Sequence, residues 1–220
     1  MLISAPPMEL GQTLDGIDAN SVLTNIDKLG MRHTFPNYPK TGGPTRSKSL
    51  TDAVPITAIL MRNTSGITLL GGRLGQVERT AGYGMVKNVH GYSTTAGNKA
   101  VVLIDPFLPS SGVADKDIFW GLIRGVVKIL LPLAGSDHII DIAVNDALCA
   151  ATGTTTGATT SGRVTHVRFA NATAGGTEAA QSGFNMAYAC IGRALSARTS
   201  QETTAGADLL VDLNIRVFAD

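Results

Sequence analysis

Charged and aromatic side chains are scarce in this chain. Of its 220 residues, 16% are charged and 5% are aromatic, whereas an ordinary soluble domain has roughly 25% charged residues. The 18 Lys and Arg residues nearly balance the 17 Asp and Glu residues, so the formal net charge at pH 7 is +1. This balance predicts no nucleic-acid partner and no attraction to an acidic membrane surface. A charge-poor surface suits contact with neighbouring subunits, although a monomeric β-domain could have the same composition.

Cysteine is almost absent. Cys149 and Cys190 are the only two, and they do not form a CxxC pair. Their spacing therefore predicts neither a disulfide framework nor a zinc motif. Each lies in an apolar stretch, ALCAA or AYACIG, which favours two buried thiols that stay reduced.

Long hydrophobic runs are missing as well. The longest apolar stretch, GVVKILLPLAG, is too short to cross a bilayer and contains Lys128 and Pro132. The first residues show no basic region followed by an apolar run, so no secretory signal is predicted. We therefore expect no membrane partner and synthesis in the cytoplasm.

The common motifs of enzyme chemistry do not occur. The sequence has no GxxxxGK phosphate loop, no HExxH zinc motif and no GxSxG nucleophile motif. A triad of Ser93, His90 and Asp137 can be written down, but no spacing supports it. The four histidines are scattered along the chain, at His33, His90, His138 and His166. We predict no catalytic residue, no metal and no cofactor; a β-barrel metal-dependent hydrolase is the enzymatic alternative.

Two polar or glycine-rich stretches have structural and functional interpretations. Asp105, Asp115 and Asp117 could offer oxygen ligands to a hard cation, but they lack the order of a calcium loop. Turn formation and capping are favoured for these aspartates. The stretch Gly71–Gly75 lacks the GxGxxG spacing and any helix after it, so it predicts a turn or a bulge.

The first 52 residues differ from the rest. They hold five of the nine prolines and little sustained periodicity, although a short helix could begin at Asn20 or Ser21. We predict that residues 1–52 form an extended N-terminal arm whose contacts are largely with other subunits. Residues 53–220 are predicted to form the folded domain.

From residue 53 onwards, short apolar runs alternate with turn residues. The runs that predict strands are VPITAILMR, RLGQVER, MVKNVHGY, KAVVLID, VVKILL, HIIDIAV and RVTHVRFA. KAVVLID contains a fully apolar run and is expected to be central, and IFW is predicted to form a single helical turn. Short strands with glycine-rich turns indicate an all-β fold, either a single β-barrel or a sandwich of short antiparallel strands.

The chain ends in a regularly alternating segment, DLLVDLNIRVF, at residues 208–218. Its odd-numbered residues from Leu209 to Val217 are all apolar, which predicts a strand with one buried face. The preceding AYACIGRALSA has apolar residues at helical spacing, but Gly192 in its middle favours a strand. We expect these two strands to pair and to close the barrel.

Three segments in the last third of the chain carry a resemblance. Asn145–Leu148 (NDAL), Ile191–Leu195 (IGRAL) and the final alternating strand resemble, in this order, the C-terminal region of head decoration (cement) proteins of tailed phages. The resemblance implies a β-barrel that clamps capsid subunits on the outside of a phage head, with no catalytic residues to carry over.

The resemblance also implies partners and a location. The protein would be a virion component that binds the major capsid protein and, as a dimer or trimer, itself. Another β-rich virion component, such as a tail-tube or head-closure protein, is the alternative. Trp120 is interpreted as a core anchor first and as an interface residue second. The predicted interface residues are Leu10, Leu14, Ile17, Leu23 and Phe35 in the arm, and Trp120.

Overall fold

The structure is a computed structural model that describes residues 6–14, 28–39, 53–79, 86–94, 100–130, 142–150, 162, 164–166, 190–198 and 208–215. Within these residues the regular elements are ten β-strands, and none of them is an α-helix. The predicted all-β class is therefore confirmed for the described part of the chain. The strands are β1 (Arg32–Pro39), β2 (Ala53–Asn63), β3 (Leu74–Arg79), β4 (Val86–Tyr92), β5 (Val101–Ile104), β6 (Ile118–Leu130), β7 (Ala147–Ala150), β8 (Val164–His166), β9 (Gly192–Ala194) and β10 (Asp208–Asn214).

The ten strands form one mixed sheet rather than a closed barrel. Their order is β1-β2-β4-β3-β5-β6-β10-β9-β7-β8, and β2 also pairs with β6. The sheet thus folds back on itself, while β1 and β8 each pair with one described strand. The β2–β4 pairing is parallel and the others are antiparallel. The prediction of short antiparallel strands is therefore wrong in two respects. One pairing is parallel, and two strands are long, since β2 has 11 residues and β6 has 13.

The two long strands hold the centre of the core. All of Ile118–Ile123 in β6 is buried, because β2 pairs with this half of the strand and other apolar side chains cover both of its faces. The helical turn predicted at IFW is therefore wrong, since a strand buried on both faces loses the alternation that would reveal it. The four residues of β5 are all buried between β3 and β6, which confirms that this strand is central.

The final strand behaves as its alternation predicts. Leu209, Val211 and Leu213 are buried, whereas Asp212 and Asn214 are exposed. The predicted pairing with the preceding strand is confirmed, with Val211 opposite Ala194. On its other side β10 pairs with β6, so it lies inside the sheet and does not close a barrel.

The predicted N-terminal arm contributes a strand to the same sheet. β1 lies before residue 52 and pairs with β2, just after it. Phe35 and Tyr38 are buried, and Pro36 falls where the register shifts, a place at which an edge strand tolerates proline. The described parts of the predicted arm, residues 6–14 and 28–39, contribute apolar side chains to this chain's own core, and contacts of the arm with other subunits stay a prediction. The helix predicted near residue 20 lies outside the described residues.

Candidate interaction surface

Residues 6–14 are here called the strap, and they contact residues that lie far away in sequence. The indole Nε1 of Trp120 donates a hydrogen bond to the carbonyl oxygen of Met8, at 3.0 Å. Leu14 and Ile118 exchange two backbone hydrogen bonds of 3.0 and 2.9 Å. The amide of Gly11 donates to Oδ2 of Asp105, at 2.6 Å. Hydrogen bonds along its length therefore hold the strap against β6 and the turn after β5.

An aromatic cluster lies where the strap is anchored. The ring of Phe35 meets that of Trp120 edge-on, with centroids 5.2 Å apart, and meets that of Tyr38 at 6.0 Å. His33 contacts Phe35 at 4.6 Å, and Phe107 contacts Tyr38 at 5.3 Å. Edge-to-face geometry of this kind adds to the energy of burying the rings. The cluster joins β1, β6 and the turn after β5 into one unit.

Four of the six predicted interface residues belong to the described part of the chain, and they lie in the core or pack against it. Leu10, Phe35 and Trp120 are 2%, 0% and 0% exposed, and Leu14 is partly buried against the core. Leu10, Phe35 and Trp120 therefore belong to the core of this chain, and their role in contacts with other subunits stays a prediction. The first interpretation of Trp120, as a core anchor, agrees with its full burial. Ile17 and Leu23 lie outside the described residues.

Asp105 ties the strap to the turn after β5. It is fully buried, and its Oδ1 accepts a hydrogen bond of 2.9 Å from the amide of Phe107 while its Oδ2 accepts that of Gly11. Burial raises the pKa of Asp105 to about 7, and the two backbone donors lower it only in part. The turn-forming interpretation therefore describes this aspartate; no local signal in its Asp-Pro dipeptide reveals that Gly11 is its partner.

Asn63, the last residue of β2, holds two loops together through its side-chain amide. Its Nδ2 donates to the carbonyl oxygens of Ile67, Val113 and Ala114, at 2.8 to 3.0 Å. Nearby, the amide of Gly66 donates to Oδ1 of Asp115, at 2.9 Å. The loop after β2 is thereby joined to the loop before β6. Asp115, a candidate cation ligand by sequence, here accepts a backbone hydrogen bond.

Within the part of the chain that the structure describes, three large apolar side chains are exposed. Val144 is 52% and Leu195 is 38% exposed, and they are neighbours because the amide of Asn145 donates to the carbonyl oxygen of Ala194. Val144 and Leu195 are here called the distal patch. Ile67, 46% exposed, lies in the separate loop that Asn63 holds. Sequence reasoning missed these positions, since isolated apolar residues near turns carry no pattern.

The two cysteines are free thiols. Cys149 is buried in β7, whereas Cys190 is partly exposed just before β9. Burial and the neighbouring Cys190 raise the pKa of the Cys149 thiol to about 12, so this thiol stays protonated at neutral pH. The predicted burial is confirmed for Cys149 and is only partial for Cys190.

The triad of Ser93, His90 and Asp137 is not assembled among the described residues. Ser93 is buried, and its Oγ has no hydrogen-bond partner, so it does not contact the exposed His90; Asp137 lies outside the described residues. Among the residues that the structure describes, no group of three or more His, Cys, Asp or Glu side chains could hold a metal ion. The same residues include no helix that is long and apolar enough to cross a membrane.

Comparison with known proteins returned no relative. No protein-family model, no curated protein and no solved structure matches the chain.

Proposed function

We propose that this chain is a structural virion protein, a decoration or cement protein that binds the outside of a tailed-phage head and stabilises neighbouring major capsid subunits. The role is non-enzymatic and places the protein on the capsid surface. Support comes first from the resemblance of the segments at Asn145–Leu148, Ile191–Leu195 and 208–218.

One observation carries the proposal. The strands of the three resembling segments, β7, β9 and β10, are adjacent in the sheet. Consecutive strands such as β9 and β10 usually pair, so the weight falls on the pairing of β7 with β9, which are separated in sequence by β8. The distal patch lies beside these strands and offers apolar surface to a partner.

The strap adds a second line of support. A cement protein has to hold its shape against a shell, and long-range tethers serve that purpose. Here Asp105 and Trp120 are used to fix a chain segment to the sheet.

The test is co-sedimentation of the tagged full chain, expressed in cells that make it, with particles collected on a density gradient. We expect it to travel with a shell protein at a fixed ratio and to be accessible to antibody on intact heads. Recovery with tails, or as rings, would support the tail-tube or head-closure alternative. Recovery only as free protein would overturn both structural roles.

A matched pair of variants then examines the distal patch. We expect Val144→Asp combined with Leu195→Asp to weaken attachment at least tenfold while thermal unfolding changes little, because both side chains are exposed. Ile67→Asp alters an equally exposed apolar residue elsewhere and should attach normally. Equal attachment by all three proteins would remove the distal patch from the interface.

A further inference from the structure

The guanidinium group of Arg73, just before β3, has no counter-charge among the residues that the structure describes. Arg73 lies over the ring of Tyr92, with its Cζ 5.2 Å from the ring centroid. Its Nη1 atom is buried and has no hydrogen-bond partner among the described residues. No described carboxylate forms an ion pair with it. An unpaired cation atom away from water is costly, and native proteins normally supply a partner.

The backbone around Arg73 forms a defined three-way junction. The amide of Ser93 donates to the carbonyl oxygen of Leu74, and the amide of Gly162 donates to that of Ser93, both at 2.9 Å. The amide of Leu74 donates in turn to the carbonyl oxygen of Gly162, again at 2.9 Å. The junction also contains the second buried polar atom without a partner, Ser93 Oγ. Both unpartnered atoms therefore belong to one small region.

Gly162 makes room for the stacked arginine. Its φ is +76°, and a Cβ built there would lie 3.1 Å from Cβ of Arg73 and 3.1 Å from Cδ1 of Tyr92. A larger residue would crowd both side chains and would also lie 2.9 Å from the carbonyl oxygen of Leu74. The hydroxyl of Tyr92 is occupied, because it accepts a hydrogen bond of 2.6 Å from the amide of Leu70. The ring is thus held firmly, and the guanidinium is positioned rather than free.

We propose that Arg73, stacked on Tyr92, is the binding site for one oxyanion, a carboxylate or a phosphate group. The guanidinium fork matches the planar or tetrahedral arrangement of oxygens in these groups, and a partly buried guanidinium binds them more strongly than an exposed one. The site lies on the β3–β4 side of the sheet and does not depend on the proposed virion role.

The test uses the full chain and two free ions, inorganic phosphate and acetate, each exchanged against chloride at constant ionic strength. We expect a dissociation constant of roughly 1 mM for at least one of them. At ten times that concentration the melting temperature should rise by roughly 3–5 °C. The ring resonances of Tyr92 should shift in the same titration, since the guanidinium lies over that ring.

Variants separate this site from general charge effects. Arg73→Gln should bind at least tenfold more weakly while keeping its stability in chloride, since it removes an unpaired buried cation. Arg73→Lys keeps the charge, loses the fork and should bind with intermediate affinity. Arg124→Gln alters an exposed arginine on β6 and should respond as the natural chain does. No response to either ion, or an equal response in Arg73→Gln, would overturn the proposal.

Discussion

The indole nitrogen of Trp120 and the carbonyl oxygen of Met8 are 112 positions apart in sequence and 3.0 Å apart in the fold. This hydrogen bond connects a fully buried aromatic residue of β6 to the strap. The only tryptophan therefore acts both as core volume and as a tether for the chain's beginning.

Replacing Trp120 by Phe should release part of the strap. The variant loses the bond to Met8 and some core volume, so we expect the free energy of unfolding to fall by roughly 2–4 kcal/mol. Amide exchange at Gly11 and Leu14 should accelerate more than exchange in β10. Ile129→Val, a small core truncation on the same strand, serves as control and should leave strap exchange unchanged. Unchanged exchange in Trp120→Phe would show that the tether does not matter.

Stability should depend on pH through Asp105. Its pKa is about 7 in the fold and 3.8 in a model peptide, so between pH 4 and 7 the folded chain keeps a proton that the unfolded chain has released. The free energy of unfolding attributable to this group therefore falls as pH rises through that window, by at most about 4 kcal/mol, and levels off above pH 7. Urea titrations at several pH values measure this slope.

Asp105→Asn is the control for that titration. It cannot ionise, so the part of the slope between pH 4 and 7 that belongs to Asp105 should disappear. The variant has one acceptor oxygen in place of two, so it should lose the bond to either Gly11 or Phe107. A slope identical to that of the natural chain would mean that other groups cause the pH dependence.

Asn63→Ala should loosen the two loops that Asn63 joins. Three carbonyl oxygens would each lose one of their two donors, and the link between the loops would be lost, so we expect a cost of roughly 1–3 kcal/mol in chemical denaturation. The matched substitution Asn88→Ala removes a single exposed hydrogen bond to Glu78 and should cost about 0.5 kcal/mol or less. Similar losses in both variants would contradict the anchoring role.

Gly192→Ala should be damaging because of space. A Cβ at Gly192 would clash with the carbonyl oxygen of Asp212 and lie 3.0 Å from Cα of Leu213, both on the paired strand β10. We expect a loss of roughly 2–4 kcal/mol, measured by urea unfolding. Gly66→Ala meets nothing within 4 Å at a φ of +74°, so only backbone strain of about 1 kcal/mol should appear. If Gly192→Ala is no worse than Gly66→Ala, the close approach of β9 and β10 is not needed.

The strands near the chain's end were predictable because their signal is local. In β10 the buried residues Leu209, Val211 and Leu213 alternate with less buried neighbours, of which Asp212 and Asn214 are polar, and a period of two needs no knowledge of the partner strand. The opposite holds at Phe119 and Trp120, where both faces are buried and the pattern vanishes. The helical turn predicted there failed for that reason.

The sequence did not reveal that part of the predicted arm joins the sheet, because prolines show where regular structure is discouraged but not whether a segment finds a partner strand. β1 pairs along β2 and places its one awkward proline, Pro36, at a register shift. Likewise, the interface prediction at Leu10 and Phe35 recognised that these apolar side chains need cover. It could not tell that the cover comes from the same chain.

The sequence by itself determined the all-β class, the alternating face of β10 and its pairing with β9, since these depend on side-chain period and on neighbours along the chain. Only the tertiary structure decided that Met8 meets Trp120, that Gly11 meets Asp105 and that Arg73 stacks on Tyr92. The physical reason is that the two partners of each tether are far apart in sequence. Gly11 and Asp105 are 94 positions apart, and no local propensity encodes a contact that exists only after the sheet has brought its strands together.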